Sequence, residues 1–255
     1  MKIAFFGTPE FAVPCLEALI KSGHEISCVV TQPDRPTGRK QEIMPSPVKI
    51  LAKRNNLPVL QPEKSSSKEF LDQYLKYPLD LNIIVAFGQI LPESVIYHPK
   101  HHSVNIHASL LPKYRGASPI NWAIINGDKH TGITYQFITR KLDAGDIIRA
   151  DRIRIREDDT SITLHNRLSK LAAENLPSVV RSIEENKFTR TPQEESEATY
   201  VTLLKKEDGK IEFSQPAEKI INRVRGLLPW PVAYCKLDGK TLKIFSAIKS
   251  DEFPS

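Results

Sequence analysis

Short apolar runs separated by longer segments of mixed polarity dominate the first 186 residues. The runs Ile3–Phe6, Ile26–Thr31, Leu81–Phe87, Val104–Ala108, Ile133–Ile138 and Ile147–Ile155 are rich in β-branched and aromatic side chains. Their separation by helix-length segments predicts βαβ units around a parallel sheet. Most are continuously apolar, as strands covered on both faces require. Ile147–Ile155 differs: Arg149, Asp151, Arg152 and Arg154 interrupt it and Arg156 follows, so one face of this strand is expected to be wet or at a sheet edge. After a cap at Thr160 or Ser161, Leu164, Leu168, Leu171, Leu176, Val179, Val180 and Ile183 recur at helical spacing. Pro177 is expected to kink or divide that helix.

From Lys187 to Lys206 the chain is polar and poor in large apolar residues, which reads as a linker over the surface. A second unit follows. It is expected to hold a strand at Ile211–Phe213, a helix at Ala217–Leu228, a break at Pro229-Trp230-Pro231, and a hairpin in which Asp238-Gly239 joins Ala233–Leu237 to Thr241–Phe245. The expected organisation is therefore an α/β catalytic domain over 1–186, a linker over 187–206 and a small unit over 207–255. About 50 residues bury little apolar surface, so this unit either leans on the first or is incomplete.

Composition narrows the class. Hydrophobic residues make up 40% and charged residues 26% of 255, ordinary values for a globular chain. The amino terminus passes from one lysine into an apolar run too short for a secretory core or a membrane span, which points to the cytoplasm. Cys15, Cys28 and Cys235 are widely spaced among apolar neighbours, so we expect buried thiols, not disulfides or a zinc site. The net charge of +6 favours a polyanionic partner without specifying one.

Three stretches could carry chemistry. In the first βα turn, Gly7-Thr8-Pro9-Glu10 offers one glycine where dinucleotide-binding turns place three, so no pyrophosphate cradle is expected there. On a strand, Asn105 and His107 point to the same face near its C-terminal end, where open α/β sheets bind ligands. Taken alone, such a pair fits a hydrogen-bonded structural role as readily as a catalytic one. Asp143, in the turn Leu142-Asp143-Ala144-Gly145-Asp146, either bonds local backbone or approaches His107. In the second case the trio has a clear logic: an amide for an oxyanion, an imidazole for a proton, a carboxylate to orient the imidazole. Between Thr31 and Lys49 many Pro and Gly residues predict a long exposed loop, whose Arg35, Arg39 and Lys40 either meet phosphates or are merely solvated. His98, His101 and His102 cluster without an acidic partner, and no metal is expected.

Thr31-Gln32-Pro33-Asp34-Arg35-Pro36, Met44-Pro45-Ser46-Pro47-Val48-Lys49, Asn105-Ile106-His107-Ala108-Ser109-Leu110-Leu111-Pro112, Leu142-Asp143-Ala144-Gly145 and Pro229-Trp230-Pro231 stand in a familiar order and spacing. In them the chain resembles the folate-dependent formyltransferases over nearly its whole length, and in the loop and second unit the branch acting on methionyl-tRNA. The resemblance implies a Rossmann-like, mostly parallel sheet followed by a small OB-like β-barrel, of which the chain is expected to hold only part. It implies transfer of a formyl group from 10-formyltetrahydrofolate to the amino group of initiator methionyl-tRNA, without a metal, by a monomer. Asn105, His107 and Asp143 match the catalytic trio. Ser109, Leu110, Leu111 and Pro112 match the segment lining the folate site. Ala86, Phe87, Gly88, Gln89, Ile90 and Leu91 match the backbone that receives the pterin, and Arg39, with Arg35 and Lys40 in the same loop, matches the basic group reaching the tRNA. An amino-sugar nucleotide or purine-precursor formyltransferase, or a formyltetrahydrofolate hydrolase, would share the trio. Two departures stand out: Gln41-Glu42 make the loop less basic than is usual in the family, and Thr139-Arg140-Lys141 replace a more acidic, glycine-containing approach to Asp143.

Overall fold

A computed structural model of the chain describes residues 1–37 and 42–250. The strands and helices follow in the order β1 (Lys2–Gly7), α1 (Val13–Lys21), β2 (Glu25–Val30), β3 (Arg35–Thr37), β4 (Glu42–Met44), α2 (Pro47–Arg54), β5 (Val59–Leu60), α3 (Lys68–Tyr74), β6 (Leu81–Val85) and α4 (Glu93–Ile96). Then come β7 (Ser103–His107), β8 (Arg115–Gly116), α5 (Pro119–Ile125), β9 (His130–Phe137), β10 (Ile147–Arg154), α6 (Ser161–Glu184), β11 (Tyr200–Val201), α7 (Ala217–Gly226), β12 (Ala233–Leu237) and β13 (Lys240–Ile244). Seven strands form one sheet in the order β10-β9-β7-β6-β1-β2-β5. The pairings from β7 through β5 are parallel, whereas β9 runs antiparallel to β7. The mostly parallel sheet is thus the one expected, and β10 lies at its edge as its arginines foretold.

The chain clusters into two compact units. The first comprises Met1–His107, Ile133–Ala150 and Ser169–Gln193, and the second Ala108–Gly132, Asp151–Leu168 and Glu194–Ser255. In the first, β6 is buried along its whole length and β1 in all but Lys2. One core of this unit gathers Phe6, Val30, Phe70, Tyr74, Ile84, Phe87 and Val95. Phe6 meets the rings of Tyr74 and Phe87 edge-on at 5.7 and 5.4 Å, and burying each such ring contributes about 1.5–3 kcal/mol. The polar atoms within this core are satisfied: the Tyr74 hydroxyl donates to Asn82 at 2.7 Å, and Asn82 donates to the Val95 carbonyl and to Ser103. Ser46 caps α2 by accepting from the Lys49 N–H, with Pro47 opening the helix, and Ser67 caps α3 in the same way.

In the second unit, α5 and α7 pack closely. A Cβ on Gly226 would stand 2.6 Å from Ile125, and the Asn121 amide donates to the Gly226 carbonyl at 2.8 Å. Ile125, Leu204, Ile211, Val224, Leu227 and Ala233 form the core of this unit. Arg115 is fully buried, paired with Glu195 at 2.9 Å and donating to the Tyr200 hydroxyl, which fastens the segment after Gln193 to β8. The antiparallel pair β12–β13 turns through Asp238 and Gly239, both at positive φ as a tight hairpin requires. It is the kind of pair an OB-like barrel contains.

Five expectations need correction. The Pro-rich loop after Thr31 is not featureless, because β3 and β4 pair in it as a hairpin. The segment 187–206 carries β11, which pairs with β8, and a 3-10 turn at Glu195–Glu197. Ile211–Phe213 forms no strand: only Lys210 bridges to Tyr234, while Ile211 turns into the core. Pro177 lies within an undivided α6. Cys235 is half-buried, unlike Cys15 and Cys28. No helix among the described residues is long and apolar enough to cross a membrane.

Burial pushes the thiols of Cys15 and Cys28 up to about 12. Iodoacetamide at pH 8 should therefore label only Cys235 in the folded protein and all three thiols in urea. Equally fast labelling of three thiols without urea would contradict this packing.

Candidate active site

Asn105 and His107 stand two residues apart on β7, and β9 places Gln136 opposite Asn105 and Thr134 opposite His107. Directly paired residues share a face, so four polar side chains form one patch on the face that the two strands share. His107, Gln136 and Thr134 are buried and Asn105 is half-buried.

Asp143 reaches this patch from the turn after β9. A Cβ on Gly145 would lie 1.8 Å from the Phe137 carbonyl oxygen, so only glycine lets the turn press against the strand. Asp143 itself adopts φ 47°, a left-handed conformation that aspartate tolerates better than most residues. Its Oδ1 accepts from Asn105 Nδ2 at 3.3 Å and from Gln136 Nε2 at 3.1 Å. Its Oδ2 lies 3.7 Å from His107 Nδ1, an electrostatic contact longer than a hydrogen bond, of a kind that tightens in a reacting complex. The three residues singled out in the sequence are thus brought together at the C-terminal end of β7.

The segment after β6 lies at the same end of the sheet. Ala86 and Gly88 have positive φ, and Ala86, Gly88 and Ile90 are exposed whereas Phe87 and Leu91 are buried. The Phe87 carbonyl accepts from the Thr8 hydroxyl and from the Gln32 amide, both at 3.1 Å. Gln89 donates to Gln32 and to the Pro62 carbonyl and accepts from the Ser65 N–H. Thr8 and Gln32 follow β1 and β2, so this clasp sits where the crossovers of the sheet diverge, the usual ligand crevice of such folds. It holds the segment 86–91 in shape while leaving its alternate residues exposed.

The remaining expected residues distribute as follows. Ser109, Leu110, Leu111 and Pro112 belong to the second unit, where Ser109 is buried and donates to the Lys113 carbonyl at 2.6 Å. Arg35 lies in β3 and pairs with Glu63, both being exposed. Such a pair is worth only about 0–1 kcal/mol and exchanges readily for another anion. Arg39 and Lys40 lie outside the described residues. No group of His, Cys, Asp and Glu among the described residues could hold a metal ion. Sequence reading did not single out Gln136, Gln193, Thr8 or Gln32. Only Gln136 had a local signal, since it alternates with Tyr135 and Phe137 on a strand whose polar face it shares with Thr134.

An amide and an imidazole beside a carboxylate can stabilise a developing negative charge and move a proton. A family model described as formyl transferase matches residues 1–180. This chain belongs to the formyltransferases. A second formyltransferase model, for the C-terminal domain, matches residues 203–255. Among curated relatives, a methionyl-tRNA formyltransferase of Alkaliphilus oremlandii is 48% identical over 247 residues, 97% of this chain and 80% of its own. One from Geobacter sulfurreducens is 47% identical over 252 residues, 99% of this chain and 80% of its own. Of solved formyltransferases, a 4-N formyltransferase from Francisella tularensis matches with TM-score 0.76 at 20% identity, covering 98% of each chain. An N-formyltransferase from Helicobacter canadensis, in complex with folinic acid and dTDP-3-aminofucose, matches with TM-score 0.74 at 21% identity, covering 100% of this chain and 90% of its own. At such identities these two structures establish a shared fold.

Because Gly145 sets how closely the Asp143 turn approaches β9, Gly145→Ala should destabilise the protein by about 1–3 kcal/mol in urea unfolding. Unchanged stability would mean that the turn is free to lift from the strand.

Proposed function

We propose that this formyltransferase moves a formyl group from 10-formyltetrahydrofolate to the amino group of initiator methionyl-tRNA. The observation that carries this reading is the meeting of Asn105, His107 and Asp143 in a chain 48% identical, over 97% of its length, to a methionyl-tRNA formyltransferase. The methionyl amine attacks the formyl carbon, a C–N bond forms, and negative charge gathers on the formyl oxygen. Asn105 Nδ2 carries two protons: with one directed to Asp143 Oδ1, the other can be donated to the oxyanion. His107 turns Nδ1 toward Asp143, so Nε2 is the nitrogen that handles the substrate proton. The amine loses a proton, the bond from the formyl carbon to the folate nitrogen breaks, and that nitrogen gains a proton. His107, with Asp143 behind it, relays it. No covalent intermediate is needed.

In this reading Ala86 to Leu91, held by the clasp, receive the pterin, and Ser109 to Pro112 line the folate. Arg35, Arg39 and Lys40 face the phosphates of the tRNA. Residues 1–186 carry catalysis and 207–255 grip the tRNA across the segment 187–206. The enzyme works as a cytoplasmic monomer, in keeping with a role in translation initiation. The amino-sugar reading has less support, because the solved sugar formyltransferases share the fold at 22% and 18% identity, well below the 48% of a methionyl-tRNA formyltransferase.

Incubation with 10-formyltetrahydrofolate and charged initiator tRNA should give formyl-methionyl-tRNA. A faster reaction with an amino-sugar nucleotide or a purine precursor, or release of free formate, would overturn the assignment. Asn105→Ala and His107→Ala should each lower kcat about a hundredfold to a thousandfold with tRNA affinity nearly unchanged. Lost affinity with retained turnover would remove both residues from catalysis.

A further inference from the structure

We infer that Gln193, acting through Gln136, is a positioning residue that fixes the Asp143 carboxylate for formyl transfer; the inference rests on the function proposed above. Gln193 Nε2 is within 3.0 Å of Gln136 Oε1, 2.9 Å of the Asp143 carbonyl oxygen and 2.8 Å of the Gly145 carbonyl oxygen. Three acceptors around one atom settle the orientation of the amide, because the reverse orientation would set an oxygen against three oxygens. Gln136 is then oriented in turn. Its oxygen accepts from Gln193, so its nitrogen must face Asp143 Oδ1, where it donates at 3.1 Å.

The result is a one-way chain of donors from Gln193 to Gln136 to Asp143. It ends on Oδ1, the oxygen that also accepts from Asn105, and so turns Oδ2 toward His107. Gln193 does two things at once: it clips the backbone of the left-handed turn at both Asp143 and Gly145, and it polarises the amide that holds the side chain. Its own place is set two residues earlier, where Thr191 and Ile147 exchange backbone hydrogen bonds at 2.8 and 2.9 Å. A polar segment expected to be surface linker thus reaches back to the catalytic carboxylate. Gln136 is almost wholly buried, so a neighbour that ceased to donate would leave its oxygen unsatisfied.

The test is steady-state kinetics of the full chain with 10-formyltetrahydrofolate and initiator methionyl-tRNA, alongside thermal unfolding. Wild-type and Asp143→Asn controls come first: if the wild type fails to formylate the tRNA, the proposed function falls on its own account. With an active wild type, Gln193→Leu should lower kcat on the order of tenfold to a hundredfold, because small misplacements of catalytic groups cost that much. Both KM values should stay within about twofold. Gln193→Glu keeps the shape but sets a carboxylate against three oxygens. The surrounding oxygens disfavour its charged form and push this carboxyl up from the ordinary range, so at pH 8 it should be as slow as the leucine variant, and activity relative to wild type should rise toward pH 6 as the protonated carboxyl donates again. An unchanged kcat, a loss confined to KM, or a loss that follows the unfolded fraction with no recovery of the glutamate variant at pH 6 would each overturn the inference.

Discussion

The Asp143 carboxylate is the point on which the site depends, and a backbone constraint puts it there. The turn can lie against β9 only because residue 145 lacks a Cβ, and that closeness brings Asp143 within reach of β7. One carboxylate oxygen is held by two amides and the other faces the imidazole. A carboxylate anchored on one side cannot rotate freely, so the direction of its charge relative to His107 is fixed before substrate binds. Such preorganisation is what makes fixed dipoles effective in a transition state, since nothing has to be reoriented as charge develops.

The rest of unit 1 supports that arrangement through its sheet. Parallel strands buried on both faces deliver Thr8, Gln32, Ala86 and His107 to one end of the sheet, and a clasp of amides and a hydroxyl occupies the crevice between β1, β2 and β6. The single glycine of the first turn serves packing: a Cβ on Gly7 would stand 2.8 Å from Phe5 and 2.9 Å from Ala12. Where a dinucleotide fold uses glycines to admit a pyrophosphate, this fold spends Thr8 on holding Phe87.

The sheet was legible because most of its strands are apolar runs whose burial leaves little choice, and the six expected strands end within three residues of those found, although the two-residue edge strand β5 was missed. Asn105 and His107 were legible because alternation along a strand fixes which side chains are neighbours. Asp143 was legible only as a candidate, since its approach to Asn105 is a contact between residues 38 apart in sequence. Gln136 and Gln193 escaped notice for a physical reason: a neutral amide has no signature of charge or spacing, and its role lies wholly in partners supplied by the fold. Ile211–Phe213 misled because Ile211 serves a core that a loop can also fill, while Phe213 is exposed. The hairpin β3–β4 was obscured by prolines, which sequence reading takes as loop but which edge pairing tolerates.

Asn105, His107 and Asp143 are proposed to act as one unit. A double-mutant cycle on kcat over Asn105→Ala and Asp143→Ala addresses it most directly, since residues that share one step lose their effect together. The double variant should be about as slow as the slower single variant. Losses that multiply, so that the double variant falls by the product of the two, would contradict it and make Asn105 and Asp143 independent contributors.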